Sequence, residues 1–322
     1  MTARAKVLVT ARTFQSMRGA PWEILEAAGL EVVTSGLDRP LSGVELRALL
    51  PGTVAVIVGM DEVSAEALEG ADALRVVSMN GVGLDRIDVA AAARRGIAVT
   101  NTPGTNAESV ADLTMALILA LMRRLPQHDA LLRSGLWKRT AGRELGGQLL
   151  GLVGLGRVGK AVAVRARSFG LALQVFDLYL DLKFCSEHEI APSDWQVVLA
   201  TSDILSLHLP VTADTARILN ETTLACMKPG AVVINTARGE LIDEPALIAA
   251  LTSGHLGGAA LDVFSHEPPI ESALWKMDNV VLSPHLGGNT REAAVRTACQ
   301  AARNVVGVLT GGPVDTLVSP GK

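Results

Sequence analysis

The sequence predicts an α/β fold built from two doubly wound parallel-sheet domains. Short apolar runs rich in Val, Leu and Ile alternate with helix-like segments over almost all of the 322 residues. These runs are apolar throughout instead of alternating with polar residues, which is the pattern of parallel strands covered on both faces. The length suits two ordinary domains better than one.

Taken in order, Val7–Val9, Val54–Val58 and Val76–Met79 read as strands, with Trp22–Ala28, Ser42–Leu50 and Ile87–Arg95 as helices between them. Gly29 and Gly96 stand where helix ends need a left-handed residue. A second series of strands follows at Leu149–Val153, Leu173–Phe176, Ile204–Leu207, Ala231–Ile234, Ala259–Leu261 and Val280–Leu282. Between the two series, Asn101–Arg124 opens with the loop Thr102-Pro103-Gly104-Thr105 and continues as a strongly apolar helix from about Glu108. From about Asn289 the chain reads as helix again. This order predicts a discontinuous substrate domain, residues 1–101 and 289–322. A cofactor domain, residues 102–288, is inserted in it, with a cleft between the two.

Composition excludes several functions. The formal net charge is −4 and the pI about 5.9, so no global positive field attracts nucleic acid or an anionic membrane. The pairs Arg94-Arg95 and Arg123-Arg124 read as helix ends in solvent. Cys185, Cys226 and Cys299 are odd in number, far apart and without metal-ligand spacing, so they read as free thiols of a reducing compartment and no metal site is expected. Met1–Thr10 lacks the order of a secretory signal, and Leu113–Met122 is too short to cross a bilayer. A cytoplasmic enzyme is expected.

The strand Leu149–Val153 runs into Gly154-Leu-Gly156-Arg-Val-Gly159, and a helix follows to Phe169. Glycines permit the tight turn and a close approach to a pyrophosphate, and the helix N-terminus supplies free N–H groups and a positive dipole end. Alone, such a glycine pattern is weak. Here the next strand ends at Asp177, where a carboxylate would bind the ribose 2′-OH of NAD. The residues after it, Leu178-Tyr179-Leu180, offer no cation for a 2′-phosphate, so NAD is expected over NADP.

Three later strand ends each carry ionisable groups: Arg238 within Asn235–Gly239, Asp262 and Glu267 within Leu261–Pro268, and His285 within Ser283–Gly288. Each alone is unremarkable, because charged loops are usually solvated. Together they suit the reduction of a 2-oxo acid. The rigid fork of an arginine grips a carboxylate, and a protonated histidine delivers a proton to the carbonyl oxygen. A carboxylate beside that histidine favours its charged form and orients the ring.

These motifs, with His208-Leu-Pro210 and Asn80-Gly81-Val82-Gly83-Leu84-Asp85, resemble in order those of the D-isomer-specific 2-hydroxyacid dehydrogenases, over nearly the full length. The resemblance implies a Rossmann-type cofactor domain inserted in a flavodoxin-like substrate domain. It implies Arg238, Glu267 and His285 as the catalytic trio, and substrate contacts from Val82, Gly83, Arg238 and His285. Cofactor contacts would come from Gly154, Gly156, Arg157, Val158, Gly159, Asp177, His208, Pro210, Thr215, Thr236, Ala237, Asp262, Gly287 and Gly288. Among these, Asp262 would hold the nicotinamide carboxamide and the His208–Thr215 loop would lie along the cofactor. A homodimer pairing through the segment around Asn101–Gly147 is also implied, acting on a small-molecule 2-hydroxy or 2-oxo acid.

The look is closest to the phosphoglycerate dehydrogenases, with a departure. Where those enzymes carry arginines for the substrate's phosphate, this sequence has Gly59 and Met79, leaving Arg12 and Arg139 as candidate cations. Two other readings use the same scaffold. Formate or phosphite oxidation needs no proton on a carbonyl oxygen, so the Glu267 and His285 pair favours carbonyl chemistry. A non-catalytic, NAD(H)-sensing corepressor like C-terminal-binding protein would be expected to carry an interaction tail, and the sequence shows none.

Overall fold

The computed structural model describes residues 4–269, 272–314 and 316–318. It divides into two compact units, Met1–Asn106 with Thr290–Lys322 and, separately, Ala107–Asn289.

In the first unit β1 (Lys6–Val9), β2 (Glu31–Thr34), β3 (Thr53–Val58), β4 (Val76–Met79) and β5 (Ala98–Thr100) form a parallel sheet in the order 2-1-3-4-5. The short strand Leu317–Val318 adds to β5 antiparallel. Successive side chains of a strand point to opposite faces. Val7 and Val9 therefore meet Leu25 of helix Ala20–Ala27 and Ala298, Ala301 and Ala302 of helix Arg291–Thr310. Leu8 faces the other way, into a cluster with Leu46, Leu68 and Ala91. Helix Gly43–Leu49, which supplies Leu46, starts at a capping box in which Ser42 and Glu45 satisfy each other's backbone N–H.

In the second unit seven parallel strands lie in the order 8-7-6-9-10-11-12. They are β6 (Leu149–Val153), β7 (Ala172–Phe176), β8 (Ile190–Pro192), β9 (Ile204–Leu207), β10 (Val232–Asn235), β11 (Gly258–Leu261) and β12 (Val280–Leu282). One face is covered by helices Ala107–Met122 and Arg157–Ser168, through Ala111, Met115, Ile118, Val162 and Ala166. The other is covered by Trp195–Thr201 and Glu244–Thr252, through Val198, Leu199, Leu247 and Leu251. Both sheets are doubly wound, and both reverse direction once: between β1 and β3 in the first, between β6 and β9 in the second. Such reversals open a crevice at the carboxyl ends of the strands, where ligands bind in this architecture.

Strands β2, β5 and β8 are additions to the sequence reading. They have four residues or fewer, and β2 is largely exposed, so no apolar run announces them. Helix Leu125–Arg133 is another addition, and it buries no residue. Leu125, Leu132, Leu136 and Trp137 are all exposed along this segment, Trp137 by 83%. Among the described residues no helix is long and apolar enough to cross a membrane, and no cluster of three potential metal ligands occurs.

Candidate active site

At the reversal point of the second sheet, β6 ends in the glycine turn and β9 ends at His208. Gly154 adopts φ +102°, which only glycine takes without strain, and a Cβ there would come 2.7 Å from the His208 carbonyl oxygen. A Cβ on Gly159 would overlap the carbonyl oxygen of Gly154. Those two glycines let the strand, the turn and the helix close on one another. Gly156 is different, because a Cβ there would meet nothing within 4 Å. It precedes helix Arg157–Ser168, whose N-terminus has no side-chain cap. The open cradle and the unpartnered N–H groups fit a dinucleotide pyrophosphate.

Asp177 follows β7 beside this turn. Its carboxylate accepts from the Leu155 amide at 2.6 Å and the Tyr179 amide at 2.8 Å, which fixes the carboxylate beside the glycine turn. Leu178 and Tyr179 are exposed and carry no positive charge, which fits an unphosphorylated ribose. The His208 ring turns inward, and its Nε2 lies 2.9 Å from Ser206 Oγ. Burial pushes its pKa down to about 4, so the ring is neutral. His208 therefore borders the glycine turn with its backbone. Further along that loop, Thr215 bonds its own loop, to Pro210 O at 2.7 Å and to the Thr212 amide at 2.7 Å.

The other ionisable groups come together at the ends of β10, β11 and β12. His285 Nδ1 lies 2.6 Å from Glu267 Oε2, while Glu267 Oε1 accepts from the Phe264 amide at 3.1 Å. Nε2 has no partner among the described residues, and the ring is exposed. His285 sits in the left-handed region at φ +52°, a costly conformation for a non-glycine residue that its surroundings must enforce. Asp262 does much of this. It is buried, its carbonyl accepts from the His285 amide at 2.9 Å, and its carboxylate accepts from Ser283 Oγ, Leu286 N and Gly287 N at 2.6, 2.7 and 2.8 Å. A carboxylate has about four acceptor positions. Three therefore hold the histidine loop, and a contact to nicotinamide would be additional to them.

Arg238 ends the loop after β10. Asn235 shapes that loop by accepting from the Ala237 amide at 3.0 Å and donating to Arg238 O at 2.8 Å. A Cβ on the next residue, Gly239, would overlap the backbone of Phe264 and Ser265, so the arginine loop and the glutamate loop are packed backbone to backbone. Among the described residues the guanidinium pairs with no carboxylate; it donates only to Ala237 O, at 2.7 Å. Helix Ala107–Met122 pins two of these loops, through Ser109 Oγ to Gly287 O at 2.7 Å and Thr114 Oγ1 to Thr236 Oγ1 at 2.9 Å. Asn235, Ser283, Ser109 and Thr114 are positioning residues that the sequence reading missed. Only Asn235 left a signal, as an Asn at a strand-to-turn junction.

In the first unit, Val82 and Gly83 lie in the loop after β4. The carbonyls of Gly81 and Val82 are bound by Thr102 and Asn101, all at 2.9 Å. The amides of Val82 and Gly83 donate to no protein acceptor among the described residues, so they offer two free N–H groups to an anion. Arg12, three residues past β1 at the start of helix Arg12–Ser16, lies 4.0 Å from Asp38 in an exposed pair. Arg139 lies in an exposed segment of the second unit.

Residues 115–287 match the family model of the D-isomer specific 2-hydroxyacid dehydrogenase NAD binding domain. The chain is similar to a glyoxylate reductase of Thermococcus litoralis, 40% identical over 291 residues, with 87% of each chain covered. It is similar also to the D-3-phosphoglycerate dehydrogenase of Mycobacterium tuberculosis, 39% identical over 297 residues, which cover 92% of this chain and 56% of the relative. The chain thus spans little more than half the length of that enzyme. A crystal structure of a Thermus thermophilus protein superposes with a TM-score of 0.86 at 39% identity, covering 98% of this chain and 100% of that one.

Proposed function

Because the chain belongs to the D-isomer specific 2-hydroxyacid dehydrogenase family and is an NAD-dependent enzyme, we propose that it reduces a small, unphosphorylated 2-oxo acid to the D-2-hydroxy acid, reversibly. The observation that carries this reading is the 2.6 Å pair of His285 and Glu267 at the end of the sheet that carries the glycine turn. Bound NADH supplies the hydride. His285, oriented by Glu267, holds a proton for the carbonyl oxygen, and Arg238 grips the substrate carboxylate with its two-pronged donor face. Formate or phosphite oxidation would leave that acid–base pair without a carbonyl oxygen to serve.

Gly154, Gly156, Arg157, Val158 and Gly159 hold the pyrophosphate, and Asp177 holds the adenosine ribose. The His208–Thr215 loop with Pro210, and Thr236, Ala237, Asp262, Gly287 and Gly288, make the remaining cofactor contacts. Substrate contacts fall to Val82 and Gly83 in the first unit and to Arg238 and His285 in the second. The first unit is then the substrate domain and the second the cofactor domain. A cytoplasmic homodimer accompanies this reading. The compartment is supported by the three free cysteines, and the dimer by the exposed apolar side chains of Leu125, Leu132, Leu136 and Trp137 within one short segment.

The relative named glyoxylate reductase and the absence of charge at Gly59 and Met79 support a short substrate without phosphate. Burying a phosphate without its own cations is costly. In competition assays with NADH, glyoxylate or hydroxypyruvate should be reduced with a higher kcat/KM than 3-phosphohydroxypyruvate. A tenfold preference for the phosphorylated acid would overturn the substrate assignment.

A further inference from the structure

The first unit holds a buried acidic side chain at the reversal of its sheet. Asp61 lies just past the end of β3, at the point where the sheet reverses between β1 and β3, and it is 1% exposed. Its carboxylate ties the rim together. One oxygen accepts from Thr10 Oγ1, past the end of β1, at 2.6 Å and from the Gly59 amide at 3.0 Å, and the other accepts from the Leu41 amide at 2.8 Å. All three donors are neutral. None of the ion pairs among the described residues includes it. Arg12, two residues past Thr10, is paired with Asp38, and Glu62, next to Asp61, adds a second acid, bound to the Gly43 amide at 3.2 Å.

The direction in which a substrate extends over these strand ends follows from the loops beside them. An acid anchored by the free amides of Val82 and Gly83 is blocked on the β5 side, where Asn101 and Thr102 are hydrogen-bonded to that loop. The open side runs over the ends of β3 and β1. There it meets Gly59, the exposed Met60 and the Asn80 Nδ2 to Thr13 Oγ1 bond of 2.9 Å, with Asp61 beneath. A neutral far end rests on this surface at no electrostatic cost. A second anionic group would be set over a buried carboxylate that no cation compensates. Like charges about 6 Å apart, at an effective dielectric of about 20, repel by enough to lower affinity about a hundredfold.

We propose that Asp61 is a specificity-determining residue that restricts this enzyme to 2-oxo acids bearing a single negative charge, rejecting a second carboxylate as well as a phosphate. The proposal rests on the reading of the chain as a 2-oxo acid reductase. The readout is the ratio of kcat/KM with NADH for acids that carry a second anionic group (oxaloacetate, 3-phosphohydroxypyruvate) to that for acids with the 2-oxo carboxylate alone (glyoxylate, hydroxypyruvate). Asp61→Asn should raise this ratio at least tenfold. Thr10→Val, which removes a hydrogen bond and keeps the charge, should leave the ratio where it is. Gly59→Lys is a second route if Asp61→Asn fails to fold. Position 59 has ordinary backbone geometry and only van der Waals contacts for a Cβ, and a cation there should raise the ratio by the same tenfold. A folded Asp61→Asn with an unmoved ratio, an equal rise in Thr10→Val, or an unmoved ratio in Gly59→Lys overturns the role of Asp61 and leaves the reductase reading intact. A wild-type protein that binds NADH and turns over none of the four acids overturns the reductase reading, and this inference with it.

Discussion

Both sheets open a crevice at a reversal of strand order, yet the loops at the two crevices are held differently. In the second unit they are bound through charged side chains, with Asp262 fastening the histidine loop and Glu267 orienting the ring. In the first unit Asp61 fastens the ends of β1 and β3 in a similar way, but the loop after β4 is held through backbone and neutral groups, and among the described residues its Val82 and Gly83 amides meet no protein acceptor. Proton transfer needs a group that can change its protonation state, so it needs particular side chains in a particular geometry. Recognition of a carboxylate needs only N–H groups, which any sequence supplies. On the proposed function, the second unit would carry the chemistry and the first the selection.

His285→Gln tests that division most sharply. It should lower kcat for 2-oxo acid reduction by about a hundredfold or more, with little change in the Kd for NADH measured by fluorescence titration. Equal losses in both would mean that the histidine serves cofactor binding as much as proton transfer. Asp177→Asn should act within the same unit on affinity alone. A charge-assisted hydrogen bond is worth about 1.5–3 kcal/mol, so NAD should bind more than tenfold less tightly while NADP changes little. If both affinities stay put, the ribose is bound somewhere else.

The smallest effect expected is on stability. The His208 ring is neutral in the folded protein down to about pH 4, whereas an unfolded chain protonates it below its ordinary value of about 6.5. Its depressed pKa therefore contributes stability that is fully present above about pH 6.5 and is lost as the pH falls toward 4. The loss should be on the order of 2 kcal/mol, and His208→Gln should abolish that part of the slope. Urea unfolding of both proteins at pH 7.5 and 4.5 measures it. Parallel slopes would show that the ring takes up its proton without cost, as an exposed histidine does.

What was legible in the sequence follows the same contrast. The buried apolar strands and the glycine turn with Asp177 leave strong local patterns, because an apolar run and a glycine-shaped turn are properties of neighbouring residues. The short strands β2, β5 and β8 leave little. Ile190–Pro192 even contains a proline, which an edge strand tolerates because it lacks a neighbour on one side. Arg238, Glu267 and His285 could be put forward as candidates because each lies in a loop that follows a readable strand. The groups that hold them could not. Ser109 reaches Gly287 across 178 residues and Thr114 reaches Thr236 across 122, so no local pattern records either bond. Asp61, in a loop reading Met60-Asp61-Glu62, looks in sequence like a solvated acid, and only its burial and three donors distinguish it.

The packing of Gly239 against Phe264 and Ser265 has a consequence for how such a site can diverge. Two loops touching through bare backbone share one boundary, and neither can gain bulk or length there without displacing the other. Mutations in the arginine loop and the glutamate loop are therefore not independent trials. A lineage that altered one would need a matching change in the other before either could be kept. The loop of Val82 and Gly83 is tied to Asn101 and Thr102 through the carbonyls of Gly81 and Val82, and among the described residues its own amides meet no protein acceptor, so its side chains can change with less effect on a neighbouring loop. On the proposed function, new substrates would be reached by drift in the first unit, while the arginine and glutamate loops of the second change together or not at all.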